Sequence, residues 1–285
     1  MSRINRRRGL LAAVAAVCLA VALPAAAEET QIQGTLRIAV YKDFAPYSFQ
    51  ENGNEKGIDA DLGRALAQQM GLKADVASFK ADDDMADDLR NMIWKGHYLG
   101  YRPGDVMMHV PVDARFAAQN DKVRIFGPYH VESVATARDA AKVPPPEGSS
   151  AVALEVFTRE KIGVEGRSVS DSFLLGVLNG RIASNVTHFK TVAEAVAELK
   201  KGGVAAVMGT KTEIEAALAG DTRFPVAPVK MPEMSVRGWA MGMAVKNDNP
   251  QLAEKLDRAL SELEKNGTVA SIFARYGVSQ SRPGG

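Results

Sequence analysis

Hydrophobic and polar positions follow two periods along the chain, one typical of buried strands and one typical of helices. Residues 36–40 are apolar except for Arg37 and predict a buried strand. Farther on, Ile58, Leu62 and Leu66 recur at helical spacing, and Gly71 marks the expected end of that helix. A strand, a loop and a helix in this order predict the start of an α/β domain.

The second half of the chain repeats this alternation. Residues 161–164 predict a short strand, and Ser170 is the expected cap of the helix that follows. Residues 191–194, with Thr first and Glu last, are typical of a capping box. Residues 204–208 predict another buried strand, and the Asn-Pro pair at 249–250 predicts a helix start.

The first residues have the pattern of an export signal. Basic residues come first, residues 10–23 are apolar, and three small residues at 25–27 provide a cleavage site. We therefore predict a signal peptide over residues 1–27, a mature chain that begins near Glu28, and a periplasmic location. An uncleaved membrane anchor is the alternative, and the arginines fit both Sec and twin-arginine export.

Export changes the charge and the cysteine content of the chain. The full sequence has 35 basic and 34 acidic residues, and removal of the four signal arginines leaves 31 against 34. That near balance argues against nucleic acid as a partner. The only cysteine, Cys18, lies in the signal segment, so the mature chain has no disulfide and no Cys-ligated zinc. We expect no cofactor, no bound metal and no membrane span after cleavage.

Several motifs in order resemble family 3 of the extracellular solute-binding proteins. They are LRIAV, FAPYSF and GIDADLGRALAQQMG near the start, FGPYH at 126–130, KIGVEGRSVS at 161–170, and the segment from RGWAMGMAVKNDNP to ARYGV at 237–278. The resemblance implies an α/β chain with the two-lobed type II periplasmic-binding-protein fold and two hinge crossings.

The resemblance also implies where the lobes and crossings lie. The crossings are expected near residues 128–134 and 228–240. The first part of lobe one is expected over residues 28–130 and lobe two over 131–230. Residues 231–285 would return to lobe one and form the C-terminal helices.

The contacts by which the family holds a free amino acid are largely missing. The family uses an Arg to hold the ligand carboxylate, but residues 105–113 contain none, and Arg115 lies only close by. The Asp that holds the ligand ammonium is replaced by Thr210. An amino acid is therefore not the expected ligand. The candidate cleft residues for another small-molecule ligand are Phe44, Tyr47, His109, Arg115, Ser168, Ser170, Thr210 and Trp239.

Residues 82–113 resemble one branch of this fold more specifically. That branch is the J-type accessory proteins (MxaJ and XoxJ) of PQQ-dependent methanol dehydrogenases, and it implies such a dehydrogenase as a periplasmic partner. The candidate partner surface is Trp94, His97, Tyr98 and Tyr101. Aspartates at 82–88 could bind a cation, but they are more typical of an acidic helix start.

Three functions therefore stay open from the sequence. The first is an accessory protein of a PQQ-dependent methanol or alcohol dehydrogenase system, which acts by contact, assembly or activation. The second is an ABC-transporter binding protein for a small solute other than an amino acid. The third is a lyase on the same fold, but no nucleophile or metal-ligand spacing supports catalysis, so we expect no enzyme.

Overall fold

The computed structural model describes residues 30–283, and this part of the chain is a mixed α/β fold. The predicted signal peptide, its cleavage site and Cys18 lie outside the described residues. The strands are β1 (Thr35–Tyr41), β2 (Phe49–Glu51), β3 (Asn54–Lys56), β4 (Lys73–Phe79), β5 (Val106–Pro111), β6 (Val123–Arg138), β7 (Ile162–Glu165), β8 (Val186–Phe189), β9 (Ala206–Thr210), β10 (Val226–Pro228) and β11 (Gly238–Lys246). The helices are α1 (Ile58–Gln69), α2 (Met85–Leu89), α3 (Ala114–Gln119), α4 (Ser150–Ala153), α5 (Val169–Gly176), α6 (Val192–Lys201), α7 (Lys211–Leu218), α8 (Pro250–Lys265) and α9 (Thr268–Arg275).

Capping residues set several helix starts where the sequence predicts them. Thr191 accepts a hydrogen bond from the N–H of Glu194 at the start of α6. Asn249 accepts one from the N–H of Leu252 at the start of α8, with Pro250 in the first turn. Ser170 is a correction, because α5 begins earlier, and Ser170 lies buried inside the helix rather than at its cap.

The main sheet has nine strands in the described chain, in the order β4-β1-β5-β11-β6-β9-β7-β8, with β10 also paired to β6. On one side, β4, β1 and β5 run parallel, and β11 lies antiparallel between β5 and β6. On the other side, β7, β8 and β9 run parallel, and β9 is antiparallel to β6. Strand β6 therefore belongs to both halves of the sheet.

The two halves define two lobes with separate cores. We call the half that contains β1, β4, β5, β11 and the first part of β6 lobe one, with α1, α8 and α9 packed on it. Its core includes Leu36, Ile38 and Val40, which alternate with Ala39 and Tyr41 on the opposite face.

The other half, with β7 to β10, the end of β6 and α5 to α7, is lobe two. Its core includes Ile162 and Val164 on one face of the sheet, and Val192, Val207 and Ile214 on the other.

The chain crosses between the lobes twice, along β6 and along the connection from β10 to β11. This arrangement confirms the predicted two-lobed α/β fold with two hinge crossings, while the predicted lobe boundaries stay predictions. Within residues 30–283, no helix is both long and apolar enough to cross a membrane.

Candidate functional site

An aromatic loop follows β1 at the carboxyl edge of the lobe-one sheet. The Phe44 ring stacks on the Tyr47 ring with their centroids 5.3 Å apart. The loop is closed by backbone hydrogen bonds between Phe44 and Ser48 in both directions. A Cβ at Gly57 would lie 2.2 Å from the Tyr47 carbonyl oxygen, so the close approach of α1 to this loop requires glycine.

His109 packs against this loop from the end of β5. Its ring lies edge-on to Phe44 at 4.9 Å and to Tyr47 at 4.1 Å. Its backbone has a positive φ of 64°, and its N–H donates to the Tyr129 hydroxyl at 3.0 Å. That geometry turns the imidazole back toward the loop, where the residue is only 8% exposed.

Asp59 fixes the orientation of the imidazole. This buried carboxylate, in the first turn of α1, lies 3.1 Å from the Nδ1 atom of His109 and accepts from the Tyr129 hydroxyl at 2.7 Å. Because a carboxylate can only accept here, Nδ1 carries the proton. The Nε2 atom of His109 has no hydrogen-bond partner among residues 30–283, so it is available to a ligand.

A buried bridge joins this loop to lobe two. The Tyr47 hydroxyl donates to the Glu132 carboxylate on β6, and burial followed by the negative charge of Glu132 raises the pKa of Tyr47 well above its usual value. The other oxygen of Glu132 accepts from the N–H groups of Ser133 at 2.8 Å and Thr212 at 3.5 Å. One carboxylate on the shared strand therefore contacts the lobe-one loop and the start of α7 together.

The facing edge of lobe two lies at the carboxyl ends of β7 and β9, which run parallel and side by side. Ser168 caps α5 through the N–H of Asp171 at 3.1 Å, and Thr210 caps α7 through the N–H of Glu213 at 3.3 Å. Both predicted residues therefore stabilise helix starts at the carboxyl edge of the parallel strands of lobe two.

Two carboxyl groups at this edge have no ion-pair partner in the described chain. The Thr210 hydroxyl donates to the Glu213 carboxyl, and burial raises the pKa of Glu213 to about 7, with the negative charges of Glu165 and Glu132 acting in the same direction. Burial also raises the pKa of Glu165, at the end of β7. The edge therefore holds carboxyl groups where repulsion and burial favour the protonated form.

The other predicted cleft residues lie differently. Arg115 lies on α3 with an exposed side chain and forms no ion pair within residues 30–283. Trp239 lies half-buried on β11 opposite Glu132 and packs against both lobe cores. Sequence reasoning did not identify three buried groups of the site, Asp59, Glu132 and Thr212. For Asp59, the signal was an Asp in the first turn of an apolar helix.

The predicted partner surface divides into an exposed loop and a packed tryptophan. Tyr98 is 88% exposed, and Leu99 and Tyr101 are also exposed. They form the rim of a cavity of about 810 Å³ that is also lined by Phe79. The His97 ring lies close to the rings of Tyr98 and Tyr101, with centroid distances of 4.3 and 5.5 Å. Trp94 instead packs against the lobe-one core.

The aspartates at 82–88 form the start of a helix, as the sequence predicts. Asp84 caps α2 by accepting from the N–H of Asp87. Asp88 accepts from the N–H of Asp82 and from the Tyr41 hydroxyl, at 2.7 and 2.6 Å. Over residues 30–283, no cluster of three acidic, His or Cys side chains has the arrangement of a metal site.

Known proteins with similar sequences are binding proteins of transporters. Residues 36–92 match the bacterial extracellular solute-binding proteins, family 3. The putative ABC transporter arginine-binding protein 2 of Escherichia coli (strain K12) is 20% identical over 92% of this chain and 97% of its own length. ABC transporter arginine-binding protein 1 of the same strain is 28% identical over 31% of this chain and 36% of its own length.

Two solved structures with a similar fold are solute-binding proteins. An ancestral cationic amino acid solute-binding protein has a TM-score of 0.65 and 20% identity, over 86% of this chain and 96% of that one. Substrate-binding domain 2 of Lactococcus lactis GlnP, in an open conformation, has a TM-score of 0.62 and 22% identity, over 89% and 100%. These likenesses agree with the predicted fold, whereas none of these four relatives is described as a dehydrogenase accessory protein.

Proposed function

We propose that this chain is the solute-binding receptor of an ABC-type transporter and takes a small polar solute between its lobes. The observation that supports this most is the pair of facing edges. Phe44, Tyr47 and His109 lie on one edge, and Thr210 lies on the other. The bridge through Glu132 holds the two edges together. This arrangement favours the transporter alternative over the accessory role that the sequence placed first.

The same edges argue against a free amino acid as the solute. Arg115 is exposed on α3, and no arginine among residues 30–283 forms a hydrogen bond or ion pair with the aromatic loop. The Thr210 hydroxyl donates to the Glu213 carboxyl. A zwitterion buried there would leave its carboxylate without a cation. The free Nε2 atom of His109 and the unpaired carboxyl groups of lobe two favour a solute that combines a hydrogen-bond donor with an apolar surface.

The test is a binding screen on the mature protein. We expect arginine and the other common amino acids to bind no better than millimolar in calorimetry, about −4 kcal/mol. The cognate solute, present at a hundred times its Kd, should stabilise the fold by about 2.7 kcal/mol and raise the melting temperature. Micromolar binding of arginine would contradict the solute class while leaving the receptor role intact.

Two substitutions test whether the solute binds in the cleft rather than elsewhere on the surface. His109→Ala should weaken binding of the solute at least tenfold, about 1.4 kcal/mol, because it removes the free imidazole nitrogen. Tyr98→Ala is the matched control, since its ring lies on the exposed loop, and it should bind normally. If no solute in a broad screen raises the melting temperature, and loss of the gene leaves solute uptake unchanged, the receptor proposal fails.

The exposed loop supports a second candidate, contact with a PQQ-dependent methanol dehydrogenase. Aromatic side chains as exposed as Tyr98 and Tyr101 are typical of protein interfaces, and they lie within the segment that resembles the J-type accessory proteins. Trp94 is a poor anchor because it is only half-exposed and packs against the lobe-one core.

A pull-down from periplasm tests this second candidate. The wild-type protein should recover the dehydrogenase, and the double variant Tyr98→Ala with Tyr101→Ala should lose it while His109→Ala retains it. Recovery of no dehydrogenase by the wild-type protein, together with normal alcohol oxidation after deletion of the gene, would exclude the accessory role.

A further inference from the structure

The C-terminal segment, residues 278–282, lies along the strand that crosses between the lobes. The N–H of Val131 on β6 donates to the Ser281 carbonyl at 2.8 Å, and the Gln280 side chain donates to the Tyr129 carbonyl at 2.8 Å. The backbone N–H and C=O of Val134 both form hydrogen bonds with the β10–β11 connection. Because backbone groups alternate between the two edges of a strand, those of Val131, three residues earlier, point to the opposite edge of β6. The segment therefore occupies, in lobe one, the edge of β6 that β9 takes in lobe two.

The same segment is bound to lobe two through α7. Ser279 donates from its N–H and its hydroxyl to the Glu215 carboxylate at 2.9–3.0 Å. Lys211 donates to the Ser279 hydroxyl at 2.6 Å and forms an ion pair with Glu215. Because α7 packs on α6, β9 and β10, these contacts attach the segment to lobe two.

Lobe-one contacts hold the other side of the segment. Val278 is buried in the lobe-one core, and Gln280 also donates to Glu264 at the end of α8, at 2.7 Å. Arg282 lies 3.6 Å from the same carboxylate. The C-terminal segment as a whole thus contacts both lobes at the point where β6 passes between them.

His130 completes this contact inside the protein. The N–H of Ser281 donates to its Nδ1 atom at 3.1 Å, so Nδ1 is unprotonated and Nε2 donates to the Thr212 hydroxyl at 3.0 Å. The imidazole packs against the ring of Phe273 on α9, with the centroids 4.7 Å apart and the planes tilted by 36°, and His130 is 1% exposed. Thr212 also contacts the bridge at Glu132, so the segment is connected to the buried side of the candidate cleft.

We propose that the C-terminal segment is a third connection between the lobes, which stabilises the lobe arrangement of the structure and limits hinge movement. Opening or closing the cleft moves α7 relative to α8 and β6. Such movement would have to break the contacts of Ser279 with Glu215 or those of Gln280 with Glu264. The proposal does not depend on which solute the cleft takes.

Distances between spin labels test it in the mature protein without a solute. The described chain contains no cysteine, so Gln69→Cys in lobe one and Ser184→Cys in lobe two, both exposed, give a clean label pair. We expect one narrow distance distribution in the otherwise wild-type chain. A chain that ends after Val278 should show a broader distribution, or one displaced by more than about 2 Å.

Point variants keep the test decisive if the shortened chain does not fold. Glu215→Gln combined with Ser279→Ala weakens the attachment to α7 and should broaden the distribution in the same direction. Glu155→Gln is the matched control, because it weakens an exposed ion pair with Arg181 inside lobe two. A distribution unchanged in the double variant, with its melting temperature within the error of the control, would overturn the proposal.

Discussion

Glu213 illustrates how a single residue defines the chemistry of the lobe-two edge. It lies one helical turn from Thr210, takes that residue's hydroxyl hydrogen bond, and has no cation within reach in the described chain. At the position where the resemblance implies a ligand-binding Asp, this chain has Thr210, whose hydroxyl donates to Glu213. The sequence predicted a replacement at Thr210 but gave no indication of the half-buried acid beside it.

Glu213→Gln should stabilise the protein at high pH and not at low pH. The folded-state pKa of Glu213, about 7, lies above its ordinary value of 4.5, so the folded chain holds a proton that the unfolded chain releases between these pH values. Stability from this group therefore falls as pH rises from 4.5 to 7. Glutamine keeps the acceptor for Thr210 and removes the charge, so we expect a gain of roughly 1–3 kcal/mol at pH 8.

Urea unfolding at two pH values measures this difference. The variant and the wild-type protein should have nearly equal unfolding free energies at pH 4, where both side chains are neutral. Glu155→Gln, at an exposed carboxylate, should produce no comparable gain at pH 8. A variant that is less stable than wild type at pH 8 would mean that the Glu213 carboxylate has an unrecognised favourable partner.

At the scale of elements, Gly57 determines how the aromatic loop is built. It is the residue before α1, with a φ of 115°, and its Cα approaches the Tyr47 carbonyl. The N–H of Gly57 donates to the Tyr276 hydroxyl at 2.8 Å, which adds a second contact at the same residue. The position of α1 against the loop, and with it the position of Asp59 beneath His109, depends on this close approach.

Gly57→Ala should disrupt the site, whereas Gly71→Ala should not. The added methyl group at residue 57 would overlap the Tyr47 backbone, so we expect a loss of roughly 3 kcal/mol or more. Gly71 also has a positive φ, of 71°, but a Cβ there meets nothing within 4 Å. Its substitution should therefore cost only the backbone term of about 1–2 kcal/mol. Thermal unfolding compares the two, and equal losses would contradict the overlap.

Sequence patterns identified elements whose signals are local. The apolar run at β1, the capping residues of α6 and the Asn-Pro start of α8 each depend on neighbours in the chain, and the structure confirms them. The cap of α5 was assigned two residues late, because Ser168 and Ser170 both fit a cap and only packing distinguishes them.

The site was less predictable because its contacts join distant segments. Glu132 meets Tyr47 across 85 positions of sequence, and His109 meets Asp59 across 50. The aromatic residues after the first predicted strand, and His109 through the family resemblance, could be proposed as site residues. Their buried partners carry no local signal, because an isolated Glu in a long strand looks like any exposed residue.

At the scale of the whole molecule, the two lobes share one strand. β6 has 16 residues, of which the first part completes the lobe-one sheet with β11 and the last part completes the lobe-two sheet with β9 and β10. Unfolding of one lobe would therefore free one end of the strand that completes the sheet of the other lobe. The third connection proposed above, through the C-terminal segment, would add to this coupling.

We therefore expect the lobes to unfold together, although chains of this size with two cores often unfold in steps. The two tryptophans make this measurable, since Trp94 packs only on the lobe-one core while Trp239 packs on both cores. In urea, the Trp94→Phe variant reports through Trp239 and the Trp239→Phe variant reports through Trp94. Each fluorescence transition should coincide with the far-ultraviolet circular dichroism transition of the same variant.

Free energies of unfolding from fluorescence and circular dichroism should agree within about 10–15%, which is the uncertainty of the extrapolation. If the Trp94 fluorescence completes its transition at a lower urea concentration, and circular dichroism shows a second transition at a higher one, lobe one unfolds alone. The shared strand would then not couple the lobes.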